Sequence, residues 1–187
     1  AHLIVSSAWE HSNRLDAHVK HTLVVREFID QLPATAVAWG SVLVSSDQFC
    51  GEFHKFQSEQ ELPVRLWVAI QLSGDGEGGT IVSTNGMDAF GIKEIEANSA
   101  PMEPQDALLF VNNLAGYLLT NGPVVSDGDT VGGSETEKIK VRTAPSFRND
   151  VGDVYLLDFE RVGGPEPVKP GSKFAEGIYG KSFRKLN

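Results

Sequence analysis

The residues of this 187-residue chain best suited to chemistry are carboxylates set beside glycines. Glu94 and Glu96 follow Asn85-Gly86-Met87-Asp88-Ala89-Phe90-Gly91, in which Gly86 and Gly91 offer positions tolerant of positive φ. Ile92, Glu94 and Glu96 alternate with Lys93, Ile95 and Ala97, so a strand here carries both carboxylates on one face. Paired carboxylates do acid–base work when their surroundings separate their pKa values. The plainer expectation is a solvated acidic face, with Lys93 on the opposite side, although Glu94 within the glycine-flanked motif is placed to bond backbone amides. A second group is Asp127-Gly128-Asp129-Thr130-Val131-Gly132-Gly133, whose two carboxylates and hydroxyl could hold a divalent cation through oxygen ligands. It lacks the closing glutamate of an EF-hand and the Gly-Lys-Ser/Thr of a phosphate loop, and a tight turn accounts for its Asp and Gly content. Glu94, Asp127, Asp129 and Thr130 are therefore the candidate binding residues. No catalytic residue, metal ligand or cofactor is indicated.

His11, His18 and His21 are spaced to approach one another along a first helix, with Asp16 or Glu10 as a further zinc ligand. The spacing matches no helical metal motif, so solvent-facing or capping histidines are expected. Cys50 and His54 stand at i,i+4 like a thiol and its base. A cysteine nucleophile normally draws its histidine from a distant part of the chain, so a cysteine packed between Phe49 and Phe53 is the simpler expectation. No Gly-x-Ser-x-Gly elbow occurs, which removes an α/β-hydrolase site at its first requirement. Trp9, Trp39 and Trp67 are widely separated and expected in the core.

The elements that must position these residues are legible from periodicity. His2 to Ala8 reads as a buried strand, Leu15 to Leu32 as a helix capped by Ser12 or Asn13 and ended by Pro33, and Thr35 to Trp39 as a second strand, together a β-α-β unit. Ser45-Ser46-Asp47 caps a short helix bearing Phe49, Phe53 and Phe56. Val64 to Leu72 and Thr80 to Thr84 read as two strands of a hairpin with a flexible Gly-rich tip. Gln105 to Thr120 is an amphipathic helix, led in by Pro101 and Pro104 and terminated by Gly122. Ile139 to Arg142 and Val154 to Phe159 close the sheet.

Composition bounds the function. Hydrophobic residues at 41% and charged residues at 22% are ordinary for a folded chain. A net charge of −9, from 25 acidic and 16 basic residues, opposes binding to nucleic acid or to an anionic membrane surface and suits a basic protein partner. The single cysteine forbids an intrachain disulfide and fits a cytoplasmic, reducing compartment. The opening Ala1-His2-Leu3-Ile4-Val5 already reads as a strand, which suggests that residues upstream have been removed.

The run Leu62-Pro63-Val64-Arg65-Leu66-Trp67-Val68, continuing through Thr84-Asn85-Gly86-Met87-Asp88-Ala89-Phe90-Gly91-Ile92-Lys93-Glu94-Ile95-Glu96, resembles the uncharacterised bacterial family known as domain of unknown function 4261. Gly116-Tyr117-Leu118-Leu119, Asp127 to Gly132 and Lys140 to Ser146 extend the resemblance over roughly residues 60–160. It implies a bacterial domain and carries no activity and no site residue with it.

The resulting expectation is an α+β single domain over residues 1–162, a mixed sheet of about five to seven strands packed by two main helices. A Gly/Pro/Lys-rich flexible tail follows over residues 163–187. The expected function is a non-catalytic, acidic protein-interaction module, such as the neutraliser of a basic toxin or an accessory component of a secretion locus. The alternative is a hydrolase-like or metal-dependent enzyme built on the loop carboxylates.

Overall fold

The structure, a computed structural model, describes residues 2–8, 14–132, 138–148, 151–159 and 184–186. It is α+β, and the chain divides into two compact units, Ala1–Trp67 and Val68–Asn187. The caps expected at Ser12 and Asn13 and the side chains of Trp9, Glu10 and His11 lie outside the described residues.

In the first unit, helix α1 (Arg14–Gln31) is followed by strands β1 (Ala36–Trp39) and β2 (Val42–Ser45), which pair antiparallel across Gly40-Ser41. Gly40 takes φ +53°, the left-handed geometry that tight hairpin turns demand. The expected β-α-β unit is thus replaced by a hairpin, because β1 finds its partner in the apolar run Val42–Val44 directly after the turn. Residues 2–8, expected as a strand, carry no strand pairing. Helix α2 (Ser46–Glu59) starts at a capping box: the Gln48 amide donates to Ser45 Oγ at 3.1 Å, and the Ser45 amide donates to Gln48 Oε1 at 3.0 Å. Its buried Phe49 and Phe53 stack at 6.5 Å, with the half-buried Cys50 beside them. Helix α3 (Val64–Trp67) occupies the start of the run expected as one long strand. Pro63 sets φ for that single helical turn and its carbonyl accepts from Leu66 N at 2.9 Å, so Leu66 and Trp67 are both buried although strand alternation would separate them.

In the second unit, strands β3 (Ala69–Gly74), β4 (Thr80–Asn85), β5 (Ile95–Ala100), β6 (Thr130–Gly132), β7 (Ile139–Pro145), β8 (Asp153–Asp158) and β9 (Arg184–Leu186) form a mixed sheet of order β3-β4-β5-β8-β7-β6-β9. Among the described residues, only β5 and β8 pair parallel, with Ile95 opposite Tyr155. Helix α4 (Pro104–Asn121) packs on β3, β4 and β5, burying Phe110, Val111, Leu114, Ala115 and Leu118. Gly122, at φ +80°, returns its amide to the Leu118 carbonyl and ends the helix. Of the two long helices expected, α4 covers the sheet, while α1 belongs to the first unit. The tip of the β3–β4 hairpin, expected to be flexible, is tied: Asp75 Oδ1 accepts from the amides of Glu77 and Gly79, and Asp75 Oδ2 from Ser99 Oγ at 2.6 Å. Of the tail, only β9 is described, as an antiparallel partner of β6.

Candidate functional site

The stretch between β4 and β5 is organised by a carboxylate. Gly86 (φ +123°) turns the chain out of β4, a 3-10 turn over Asp88–Phe90 follows, and Gly91 (φ +75°) turns it back toward β5. Met87 is wholly buried and anchors the turn from within. Three successive amides then point inward at one acceptor: Gly86 N, Met87 N and Asp88 N donate to Glu94 Oε1 at 2.8, 2.9 and 3.3 Å. Thr84 Oγ1 donates to Glu94 Oε2 at 2.6 Å and accepts from Ile95 N at 2.8 Å. Glu94 is 5% exposed. A buried carboxylate is tolerable only when donors replace its water, and this concave set of amides does so.

Glu96, two residues on, is 1% exposed. Its carboxylate accepts from Ser146 Oγ at 2.6 Å, Phe147 N at 3.1 Å and Arg148 Nε at 3.2 Å. The Arg148 guanidinium also donates through Nη2 to the Thr84 carbonyl at 2.6 Å, so it ties the loop after β7 to both β4 and β5. Thr84 joins the two carboxylates: its hydroxyl serves Glu94, and its carbonyl serves the arginine bound to Glu96. The expected solvated acidic face at Glu94 and Glu96 is therefore overturned. Glu94 lies before β5 begins, and both side chains are withdrawn from water by donors contributed by chain up to 52 residues away.

Asp127 and Asp129 stand elsewhere. Asp127 is exposed, and its Oδ1 accepts from Thr143 N at 2.8 Å. Asp129 Oδ2 accepts from Ser126 N at 2.7 Å, while its carbonyl accepts from Val141 N. Gly128, at φ +85°, makes the turn between them, and Thr130 opens β6 opposite Lys140. Each aspartate closes a different backbone link onto the β6–β7 hairpin, as turn-forming aspartates do. Thr143 is the point of nearest convergence: its amide serves Asp127, and its Oγ1 accepts from Lys93 Nζ at 3.2 Å. That same ammonium stands 5.6 Å from the centre of the Tyr155 ring, and burial raises the pKa of the Tyr155 phenol. Among the described residues, no group of three or more His, Cys, Asp or Glu is arranged to hold a metal ion.

The histidines of the first unit depart from expectation too. His18 is buried, with its ring 6.0 Å from both Trp39 and Trp67. Its Nδ1 must donate, because the partner at 2.8 Å is the Arg14 carbonyl. Burial lowers its pKa, the bond to Arg14 opposes that shift, and the charges of His21 and Arg14 add to it. Thr22 Oγ1 donates to the His18 carbonyl and accepts from Trp67 Nε1 at 2.9 Å, which satisfies the buried indole. Cys50 and His54 show no comparable arrangement: His54 is exposed on α2.

The site residues that periodicity missed are Thr84, Ser146 and Arg148. Nothing local marks them, since each acts through a partner brought alongside by sheet pairing. The fold and the network define an α+β sheet domain whose inner carboxylates brace its loops. Residues 83–156 match the family described as Domain of unknown function (DUF4261), a segment that contains every member of the Glu94 and Glu96 networks. No curated protein and no solved structure matches the chain. No helix among the described residues is long and apolar enough to cross a membrane.

Proposed function

We propose that this is a bacterial, non-catalytic protein-interaction module with an acidic surface suited to a basic protein partner. The observation that carries the reading is the outer face of α1, where Val24 and Phe28 stand at helical spacing with Leu23 beside them and Leu32 directly after the helix end, and all four are exposed. Such a stripe is the pattern by which a helix enters a partner's apolar groove. The net charge of −9 steers a basic partner toward it. The carboxylates that an enzymatic reading would need are engaged instead: Glu94 holds three amides and a hydroxyl, and Asp127 and Asp129 each accept a backbone amide.

Affinity capture with the tagged chain at physiological salt tests this. A stoichiometric basic protein should be retained by the wild type and lost on the double substitution Val24→Lys, Phe28→Lys, which adds charge to exposed positions and leaves the core unchanged. Retention that is indifferent to the double substitution, or retention only at low salt, sinks the reading.

A further inference from the structure

Within the first unit, β1 is an edge strand: among the described residues it pairs with β2 alone, in a two-stranded sheet. A hairpin of two strands is marginal by itself, and natural sheets guard an open edge with charge, proline or a covering element. From Ala34 to Ser46 no residue is charged, and no proline interrupts β1. The edge is built to be paired.

The same unit holds a segment built to pair with it. Leu3-Ile4-Val5-Ser6 is apolar and β-branched, carries no strand pairing, and leaves Leu3 and Ile4 at 55% and 79% exposed. The residue that follows it, Ser7, shares a neighbour with the end of β1. Ser7 Oγ is 2.7 Å from His21 Nδ1, and the His21 ring meets Trp39, the last residue of β1, edge-on at 4.9 Å. Ser7 and Trp39 thus share His21, near the middle of α1, as a neighbour, and α1 is the helix that separates the two stretches in sequence, the connection that joins parallel neighbours in a β-α-β crossover. We propose that the outer edge of β1 is a seat for Leu3–Ser6, which closes onto it as a third, parallel strand. Closure pairs the outward amides and carbonyls of β1 and withdraws Leu3 and Ile4 from water.

Amide hydrogen exchange and cross-strand proton contacts, measured by NMR on the whole chain, test this. Amides of an antiparallel pair alternate, one set bonded to the partner strand and the other facing outward. Closure slows the outward set of β1 about 100-fold relative to an open edge. Val5→Pro removes a donor from the segment and returns that set to open-edge rates, while the β2-facing set stays protected and reports an intact hairpin. Parallel contacts between Leu3–Ser6 and Ala36–Trp39 in the wild type are expected independently of any variant. Their absence, or an outward set exchanging at open-edge rates in the wild type, overturns the proposal. Outward protection that scales with protein concentration overturns it also, because the strand would then come from a second molecule.

Discussion

Replacing Glu94 by alanine separates a bracing carboxylate from a decorative one. On a solvated strand face, which the alternation around Glu94 suggests, the substitution would change stability by no more than about 0.5 kcal/mol. The structure demands far more. Two amides at 2.8 and 2.9 Å lose their side-chain acceptor, a third at 3.3 Å is a weaker loss, and the Thr84 hydroxyl loses its 2.6 Å partner. An orphaned buried donor costs about 1–3 kcal/mol, so two well-made bonds alone give about 2–6 kcal/mol. That is a large share of the roughly 5–15 kcal/mol that keeps a domain folded. Glu94→Gln keeps an acceptor on the amides and loses mainly the charge, so about 1–3 kcal/mol is expected. Urea unfolding followed by far-UV circular dichroism gives both values, with the slope m compared across variants. All three tryptophans precede Val68, so indole fluorescence follows the first unit and distinguishes its transition from that of the sheet. If Glu94→Ala unfolds within about 1 kcal/mol of the wild type at unchanged m, the amides are satisfied some other way and the bracing argument is wrong.

Two further outcomes follow from the same reasoning. Arg148→Ala leaves the Glu96 carboxylate buried with its charge partner gone and should cost about 3–5 kcal/mol, while adding Glu96→Gln to it should cost much less than the sum of the single changes. Additive effects in that double-mutant cycle would show that the two side chains act separately. For the first unit, desolvation holds the His18 pKa below its ordinary value of 6.5. The unfolded chain then binds the proton more readily than the folded one, so stability is complete above about pH 6.5 and falls as pH drops toward the lowered value. Tryptophan-detected unfolding between pH 7.5 and 5 should show that loss, and His18→Gln should reduce it to the part due to His21, whose pKa burial also lowers; an unchanged slope in the variant would assign the dependence to other groups.

Local chemistry made much of this protein legible in advance. The Ser45 capping box, the Pro104 entry and Gly122 exit of α4, and the positive-φ glycines at Gly86, Gly91 and Gly128 depend on neighbours within a few residues. The physics of caps, turns and amphipathic spacing operates at that range. The run from Val64 misled because apolar residues at that density fit a helical turn or a strand equally, and Pro63 decided between them. The bonding of Glu94 to backbone amides was legible in the glycine-flanked motif, whose amides lie six to eight residues away, whereas its burial and the fate of Glu96 could not be read locally. Alternation gives the same pattern for a wet face and for a face covered by another loop, and only the pairing of β4, β5, β8 and β7 brings Thr84 and Arg148 to the carboxylates. Burial reversed the expected role of these acids, because a carboxylate that exchanges water for backbone amides and a guanidinium becomes a fastener of the fold.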